Sequence, residues 1–305
     1  MDTNTDFFYC IETAMENPNA VKKLGLHYKG LTKFPEEIFN FKNLEELSLY
    51  NNEITEIPEE IVELSNLKKL VISGNKLTKI PSCLAKLSKM ETLILSWNSL
   101  QAFPDEIGSF SKLKVLSVSN NNLTVLPNTI CNILSLEELI LAENYRLNAL
   151  PENIGNLINL KSLNAGGGNL KQLPASITKL TNLSKLEVHQ NNLISLPADI
   201  GNMTSLTKLR AYNNLLSELP ESICNLKNLE KLLLYKNDLY CLPECIGNLT
   251  NLTELDISVN EIEKLPESIK KLNKLNTVNL GRNNFSQDAK VYIQSLLQHT
   301  SINWS

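Results

Sequence analysis

The segment that decides the fold is Leu44–Asn66, which reads LEELSLYNNEITEIPEEIVELSN. Leu47 and Leu49 alternate with polar residues, and this alternation predicts a short strand with one buried face. Asn52 follows where the chain must turn, and a short amide side chain there can bond to backbone groups that leave the strand. Counting Leu44 as position 1, the segment therefore begins with a strand over positions 3 to 7, followed by a tight bend.

The second half of the segment returns the chain to its starting side. Ile54, Ile57, Ile61 and Leu64 are spaced three, four and three residues apart. This spacing favours a loosely helical or 3-10 path more than a second strand. Pro58 fixes its own φ and has no N–H, so it separates the strand side from the return side.

The same pattern recurs along the chain with a period of 23 residues. Eleven full units begin at Val21, Leu44, Leu67, Met90, Leu113, Leu136, Leu160, Leu183, Leu206, Leu229 and Leu252, and a partial unit begins at Leu275. One unit cannot close a core, because its apolar side chains point at its neighbours in the stack. Stability must therefore come from stacking, at roughly 1.5–3 kcal/mol for each fully buried apolar side chain.

The units from Val21 to Phe285 resemble the leucine-rich repeat family in its 23-residue LPxxI version. Similar arrays occur in intracellular Ras-binding scaffolds of the Shoc, scribble and erbin type, in plant intracellular Ras-group proteins and in bacterial proteins. The resemblance implies an α/β fold: a right-handed solenoid with a concave parallel sheet and a convex side of loops and 3-10 turns. It also implies a protein or peptide partner, such as a small GTPase or another signal transduction protein, and no catalytic residue.

Capping segments are expected at both ends, because an exposed terminal repeat leaves an open strand edge. We predict an N-terminal cap over residues 1–20, with a helix from Thr5 to Glu16, and a repeat array over residues 21–285. A C-terminal cap covers residues 286–305. It is predicted to contain a helix from about Gln287 to Gln298, N-capped by Ser286, and a last strand near Ile302 and Trp304.

Composition excludes several classes of function. With 29 basic and 33 acidic residues the net charge is −4, so charge does not predict binding to nucleic acid. No apolar run approaches the length of a membrane span, and no secretory signal is visible in MDTNTDFFYC. We therefore expect a cytoplasmic protein, or a secreted one if a signal peptide preceding Met1 has been removed.

The six cysteines lack the paired clusters that close the ends of extracellular arrays, which predicts free thiols. Cys241 and Cys245 form a close pair without further ligands at zinc-like spacing, so we predict no metal and no cofactor.

Two adjacent units depart from the pattern. The unit that begins at Leu136 has 24 residues, with Tyr145-Arg146 between Asn144 and Leu147, and the next reads Ala165-Gly166-Gly167-Gly168, with glycine where asparagine is expected at position 168. The glycines could form a notch for a partner or could merely accommodate the insertion.

Information about a partner must lie at repeat positions 3, 5, 7 and 8, which face outward from the predicted sheet. In the first half of the chain these positions contribute a predicted apolar patch: Val71, Ile94, Trp97, Val115 and Ile140. In the second half they contribute a mixed aromatic and charged patch: Glu187, His189, Arg210, Tyr212, Leu233, Tyr235 and Lys236. The alternative is that aliphatic residues at position 5 reflect strand propensity only.

The function favoured by these patterns is a non-catalytic scaffold or interaction module that binds a protein or peptide on its concave sheet. Glu187 and His189 would share a face, but no nucleophile or enclosed pocket accompanies them, so we do not expect an enzyme. The alternative is an extracellular recognition module, such as an adhesin or receptor fragment that binds a glycan or host protein. The oligomeric state is not predicted.

Overall fold

The computed structural model describes residues 7–305. The chain forms two compact units, Met1–Leu147 and Asn148–Ser305. The boundary lies one residue after Tyr145-Arg146. The first residues of the predicted N-terminal helix, Thr5 and Asp6, lie outside the described residues. Within the described range, no helix is both long enough and apolar enough to cross a lipid bilayer.

The first unit contains seven parallel strands that follow the chain order. They are β1 (Phe7–Phe8), β2 (Lys23–Gly25), β3 (Glu46–Ser48), β4 (Lys69–Val71), β5 (Thr92–Ile94), β6 (Val115–Ser117) and β7 (Glu138–Ile140). Each residue pairs with the same position of the next repeat, as Leu47 does with Leu70. This register places each repeat position in a continuous row across the sheet.

The second unit has the same arrangement. Its strands are β8 (Ser162–Asn164), β9 (Lys185–Glu187), β10 (Lys208–Arg210), β11 (Lys231–Leu233), β12 (Glu254–Asp256), β13 (Thr277–Asn279) and β14 (Ser301–Asn303). From β8 to β13 the parallel strands pair at a 23-residue offset, as Leu186 does with Leu209 and Leu209 with Leu232, and β14 pairs with β13 at an offset of 24.

Each strand is shorter than predicted, but its hydrogen bonding continues beyond it. The regular strand covers repeat positions 3 to 5 rather than 3 to 7, as in Glu46–Ser48. The next N–H, that of Leu49, still donates to the carbonyl of Val71 at 2.8 Å. Leu47 and Leu49 are 1% and 0% exposed, so the inward-facing positions are those that the alternation predicted.

The return side consists of short 3-10 helices, as the spacing predicted. In the first unit they are Pro18–Ala20, Glu36–Asn40, Glu59–Glu63, Ser82–Lys86, Asp105–Ser109 and Asn128–Asn132. In the second unit they are Ile154–Asn156, Ala175–Lys179, Ile200–Asn202, Glu221–Asn225, Ile246–Asn248 and Glu267–Lys271. Pro58 is extended, with φ −70° and ψ 156°, directly before its helix, and Ile61 within that helix is fully buried. Proline therefore separates the two sides of the coil as expected.

The asparagines at repeat position 9 hold successive coils together through the backbone. Asn75 is representative: its Nδ2 donates to the carbonyls of Leu49, at 2.9 Å, and Ile72, at 3.2 Å. Its Oδ1 accepts the N–H of Ile54 at 2.9 Å. One amide thus satisfies buried groups of two coils. The predicted bonding of this asparagine to backbone groups is therefore present, and its repetition from coil to coil is called the asparagine ladder below.

The ladder is interrupted where Gly168 replaces asparagine. At the neighbouring insertion the turn closes within its own coil, because Leu147 donates its N–H to the carbonyl of Asn144 at 2.8 Å.

The N-terminal cap differs from the prediction. Among the described residues of the predicted helix, Ile11–Met15 is α-helical (α1), and Phe7 and Phe8 form a strand paired with Lys23 and Leu24 instead of the start of a longer helix. The first repeat exposes a row of backbone donors and acceptors that another strand satisfies directly and a helix would not.

The C-terminal cap agrees closely with the prediction. The helix α2 spans Gln287–Leu296, and the Oγ of Ser286 accepts the N–H of Ala289 at 3.1 Å as its N-cap. The final strand Ser301–Asn303 pairs with the preceding strand through Val278 and Ile302. The helix and the terminal strand are therefore confirmed.

Candidate functional site

Repeat position 8 adopts a left-handed backbone conformation in every coil. The residues are Tyr28, Asn51, Gly74, Trp97, Asn120, Glu143, Gly167, Gln190, Asn213, Lys236, Val259 and Arg282, with φ between +53° and +67°. Glycine and asparagine tolerate this region, whereas a bulky or β-branched residue is strained in it. The asparagines and glycines in this column were a signal that the sequence interpretation missed. Trp97 is held at φ +58° and is 64% exposed.

The predicted apolar patch of the first unit is only partly contiguous. Val71 and Ile94 are direct partners on neighbouring strands. Ile94 is separated from Ile140 by Ser117, which occupies the same row on the intervening strand. Val115 lies in a different row, between Thr92 and Glu138. The structure thus brings two of the four aliphatic residues together as cross-strand partners, and all four are half-buried.

In the second unit the structure assembles an ordered aromatic strip, defined here as His189, Tyr212 and Tyr235. The rings of His189 and Tyr212 stack with centroids 4.5 Å apart and planes 21° apart. Tyr212 and Tyr235 stack at 4.3 Å and 10°. All three residues occupy position 7 of consecutive repeats, and the register of the strands brings them into contact. The sequence analysis selected all three from this column.

A group of charged side chains from repeat positions 3 and 5, called the charged row and defined as Glu187, Lys208 and Arg210, lies beside the strip. Oε1 of Glu187 is 3.1 Å from Nζ of Lys208 and 3.3 Å from Nη1 of Arg210. The other oxygen of Glu187 accepts from Nδ2 of Asn164 at 3.1 Å. The Glu187 side chain is only 15% exposed, so these bonds matter more than an exposed ion pair would. Lys208 and Asn164 were not among the predicted site residues, although both lie at outward repeat positions.

The predicted site residues Leu233 and Lys236 flank the strip. Leu233 is the cross-strand partner of Arg210 and is half-buried. Lys236 follows Tyr235 at the left-handed position and is exposed.

Glycine at position 166 provides space for the aromatic strip. A Cβ built on Gly166 would lie 2.4 Å from Cε1 of His189. The imidazole therefore occupies the volume that a side chain at position 166 would need, and His189 is 9% exposed. At this glycine the chain does not leave an open notch, because the neighbouring ring fills it.

Burial changes the acidity of the last ring in the strip. It raises the pKa of Tyr235 to about 12, with further contributions from the hydroxyl of Tyr212 and the carboxylate of Asp256, partly opposed by Arg210. The phenol therefore stays protonated at neutral pH and can donate a hydrogen bond. Glu187, in turn, is already bonded to two cations and an amide, which leaves it poorly placed to act as a general base.

A second aromatic group lies at the start of the first unit. Tyr28 and Tyr50 make an edge-to-face contact with centroids 5.5 Å apart and are 68% and 37% exposed. Tyr9 packs against Phe7 at 4.6 Å and approaches His27 at 6.5 Å. The sequence analysis did not include these residues, although His27, Tyr28 and Tyr50 occupy positions 7 and 8.

The expectation that all cysteines are free thiols is wrong. Cys224 and Cys245 form a disulfide with their Cα atoms 5.8 Å apart. They are 21 residues apart in the sequence but belong to the return sides of successive coils, so stacking makes them neighbours. Cys241, which lies closer to Cys245 in sequence, stays free, as do Cys10, Cys83 and Cys131. Burial raises the pKa of Cys131 to about 11.

Comparison with known families and structures agrees with this geometry. A family model described as "Leucine-rich repeat region" matches residues 14–98 and 130–232, and one described as "Leucine Rich Repeat" matches residues 112–133 and 251–272. No curated protein matches the chain significantly.

Several solved structures share the fold. A leucine-rich repeat protein of Leptospira interrogans is 28% identical, with a TM-score of 0.52, over 98% of this chain and 99% of that chain. An internalin (InlF) of Listeria monocytogenes is 23% identical, with a TM-score of 0.82, over 97% and 87%. The plant peptide hormone receptor RGFR1, in complex with RGF2, is 24% identical, with a TM-score of 0.59, over 88% and 56%.

The family models cover more than half of the chain, and each unit has the parallel strands, asparagine ladder and 3-10 return side of the repeat. Such folds are typical of non-enzymatic interaction scaffolds that bind through an extended surface. The chain belongs to the leucine-rich repeat family.

Proposed function

We propose that the protein is a non-catalytic interaction module that binds a protein or peptide partner across the aromatic strip of its second unit. The observation that carries this proposal is the continuous stack of His189, Tyr212 and Tyr235 beside the charged row. Aromatic residues and arginine are enriched at interaction hot spots, because they supply large contact area at low entropic cost. Stacking holds the rings in place before a partner arrives, which lowers the cost of ordering them on binding.

The surroundings of the strip favour binding rather than catalysis. Glu187 is engaged by Lys208, Arg210 and Asn164, so its charge is already compensated. The row therefore presents fixed polar groups beside apolar ring faces, and this combination suits an extended segment that carries both kinds of side chain. The plant receptor with the same fold is described in complex with RGF2; a peptide or a flexible protein segment is accordingly the partner class that we propose here. Nothing favours a small GTPase in particular.

Selection of peptides from a random-sequence display library against the wild-type protein tests the proposal. The selected peptides should bind the Tyr212→Ala/Tyr235→Ala variant at least about tenfold more weakly, as expected for loss of two aromatic hot-spot residues. Tyr240→Ala is the matched control, because Tyr240 is 64% exposed and lies outside the strip. Equal affinity for the double variant and the control would exclude the strip as the binding site.

Trp97 is proposed as a separate anchor in the first unit. A left-handed tryptophan costs about 1–2 kcal/mol relative to a residue suited to that region. Trp97 is also 64% exposed at this outward position, and tryptophan is enriched at interaction hot spots. The Trp97→Asn variant should therefore be more stable than the wild type while losing affinity for any partner of the first unit. A more stable variant with unchanged binding of all selected peptides would remove Trp97 from the proposal.

The disulfide favours a second candidate, an extracellular recognition module that acts in an oxidising compartment. Disulfides persist in secreted and surface proteins and are rare in reducing cytosol. Cys224 and Cys245 are joined, contrary to the expectation of free thiols. Rapid alkylation of intact source cells, followed by mass spectrometry, would decide the matter. Absence of alkylation at Cys224 and Cys245 supports an oxidising compartment, whereas alkylation of both thiols would support a cytoplasmic scaffold.

A further inference from the structure

The return side of the second unit brings together three side chains of types that can ligate metals, two of them joined in the Cys224–Cys245 disulfide, which the proposed binding function does not use. Glu221, Cys224 and Cys245 each offer one ligand atom, and these three atoms all lie within 4.8 Å of one another. Oε2 of Glu221 is 3.0 Å from Sγ of Cys245. Cys224 is buried and Glu221 is exposed, so the group has a protected side and an open side.

The local fold explains why these side chains converge. Glu221 and Cys224 lie three residues apart on the 3-10 helix Glu221–Asn225. Residues i and i+3 of a 3-10 helix eclipse one another, so both side chains leave the helix in the same direction. Cys245 comes from the next coil and lies directly before the helix Ile246–Asn248. Stacking of the coils therefore completes the group.

Reduction of the disulfide would leave the group electrostatically unsatisfied. Two thiols and a carboxylate would then share one site. Ionisation of either thiol would place like charges within a few ångströms, which is unfavourable in a partly buried environment. The ammonium of Lys227 is nearby but donates to the main-chain carbonyl of Cys224 at 3.0 Å. A divalent cation bound between the three ligands would remove the repulsion.

We propose that the reduced form of the protein binds one zinc ion, or a similar thiophilic divalent cation, through Cys224, Cys245 and Glu221. Two thiolates and one carboxylate are a donor set suited to Zn²⁺ and unsuited to Mg²⁺ or Ca²⁺, which prefer oxygen ligands only. Water would take the fourth position on the exposed side. The same two cysteines thus link successive coils in either state, by a covalent bond when oxidised and by a metal when reduced.

The distances are compatible with this exchange. Zinc–sulfur bonds of about 2.3 Å in a tetrahedral site place the two sulfurs about 3.8 Å apart. The Cα atoms of the pair are 5.8 Å apart, so rotation about the Cα–Cβ bonds can separate the sulfurs without moving the backbone. A phosphine reductant supplies two electrons and becomes its oxide, converting the disulfide into two thiols with protons taken from water. Zinc then displaces two protons from these thiols.

Zinc titration of the reduced protein, after anaerobic removal of the phosphine, tests the proposal. Competition with a chromogenic chelator gives the stoichiometry and affinity, and a pH indicator in weak buffer measures the released protons. We expect one zinc per chain with release of up to two protons, and no stoichiometric binding to the unreduced protein. Absence of stoichiometric binding to the reduced protein, with its circular dichroism spectrum retained, would overturn the proposal.

Variants identify the ligands. Cys245→Ser should abolish stoichiometric binding although it keeps the four free cysteines and Cys224, so binding that persists would mean adventitious coordination by other thiols and refute the site. Glu221→Gln should weaken binding roughly tenfold or more, by analogy with the loss of groups that support metal ligands. Unchanged affinity in Glu221→Gln would overturn the three-ligand assignment.

The first unit contains an incomplete copy of the group that provides a matched gain-of-function test. Cys83 contacts the carbonyl of Glu59 at 3.7 Å, as Cys245 contacts that of Glu221 at 3.5 Å. Val62 occupies the position that corresponds to Cys224. The reduced Val62→Cys variant should therefore bind two zinc ions per chain. A stoichiometry that stays at one would show that the three side chains are insufficient and would overturn the proposal.

Discussion

Replacement of a single ladder asparagine should destabilise the protein far more than its small side chain suggests. Asn214 is 6% exposed. Its Oδ1 accepts the N–H of Leu193 at 3.0 Å, and its Nδ2 donates to the carbonyls of Val188 and Ala211 at 3.0 Å each. The Asn214→Ala variant removes these three bonds and a longer one to the carbonyl of Tyr212, at 3.3 Å, while leaving the surrounding leucines in place.

The magnitude follows from what each partner retains. The carbonyl of Val188 keeps a bond from Asn191, and that of Ala211 keeps a bond from Asn237. The two lost bonds to these carbonyls then cost about 0.5–1.5 kcal/mol each. The N–H of Leu193 loses the acceptor that it has in the ladder, at a cost of about 1–3 kcal/mol for a buried unsatisfied donor. The expected total is about 2–6 kcal/mol.

Urea denaturation followed by tryptophan fluorescence is the assay, because Trp304 lies in the same unit as Asn214. The control is Asn192→Ala, which removes an exposed asparagine whose side chain donates to Oδ1 of Asn169. We expect the control to change the free energy of unfolding by less than about 0.5 kcal/mol. Equal unfolding midpoints for the two variants would refute the assignment of stability to the ladder.

Three further predictions concern strain, coil stacking and pH. Val259 has φ +55°, so Val259→Asn should stabilise the protein by about 1 kcal/mol in the same urea assay. The opposite replacement at an equivalent position, Asn213→Val at φ +54°, should destabilise it by a similar amount. Equal unfolding midpoints for the wild type and both variants would contradict this. The Val62→Cys variant should form a disulfide between position 62 and Cys83 under oxidising conditions, because the pair has the same 21-residue offset as the native disulfide. Non-reducing peptide mapping would detect this bond, and two thiols that can still be alkylated would be the opposing result. The pKa of Tyr235 is raised in the folded state from 10.0 to about 12. The stability that this phenol contributes is therefore complete below pH 10 and is lost between about pH 10 and pH 12. The Tyr235→Phe variant should lose less stability over this range, and identical pH profiles of the free energy of unfolding for the two proteins would count against it.

The extent to which the fold could be predicted depended on which interactions repeat. Leucines at fixed positions of each unit specify strand, bend and return path, so the buried faces of Leu47, Leu49 and Ile61 were predicted correctly. The N-terminal helix was predicted too long. The spacing of apolar residues there favours a helix. Pairing of Phe7 and Phe8 with the edge of the sheet is a tertiary interaction that local spacing cannot reveal.

The candidate site was predicted in outline only. Reading the outward columns selected Glu187, His189 and Tyr212, because strand register places equivalent positions side by side. The engagement of Glu187 by Lys208 and Asn164 was not foreseen, since long polar side chains choose among several neighbours that all lie within reach. The apolar patch of the first unit was likewise overestimated, because Ser117 interrupts its row.

The amino-acid sequence alone determined the coil, its period and the direction in which each side chain points, since these follow from short-range spacing repeated many times. The tertiary structure decided which distant residues meet. Cys224 reaches Cys245, and His189 fills the space above Gly166, because stacking brings residues about one period apart into contact. Stacking also imposes the left-handed conformation at position 8 on Trp97 and Val259, whose own preferences oppose it. Hydrogen bonds between successive coils outweigh the strain of one residue in each.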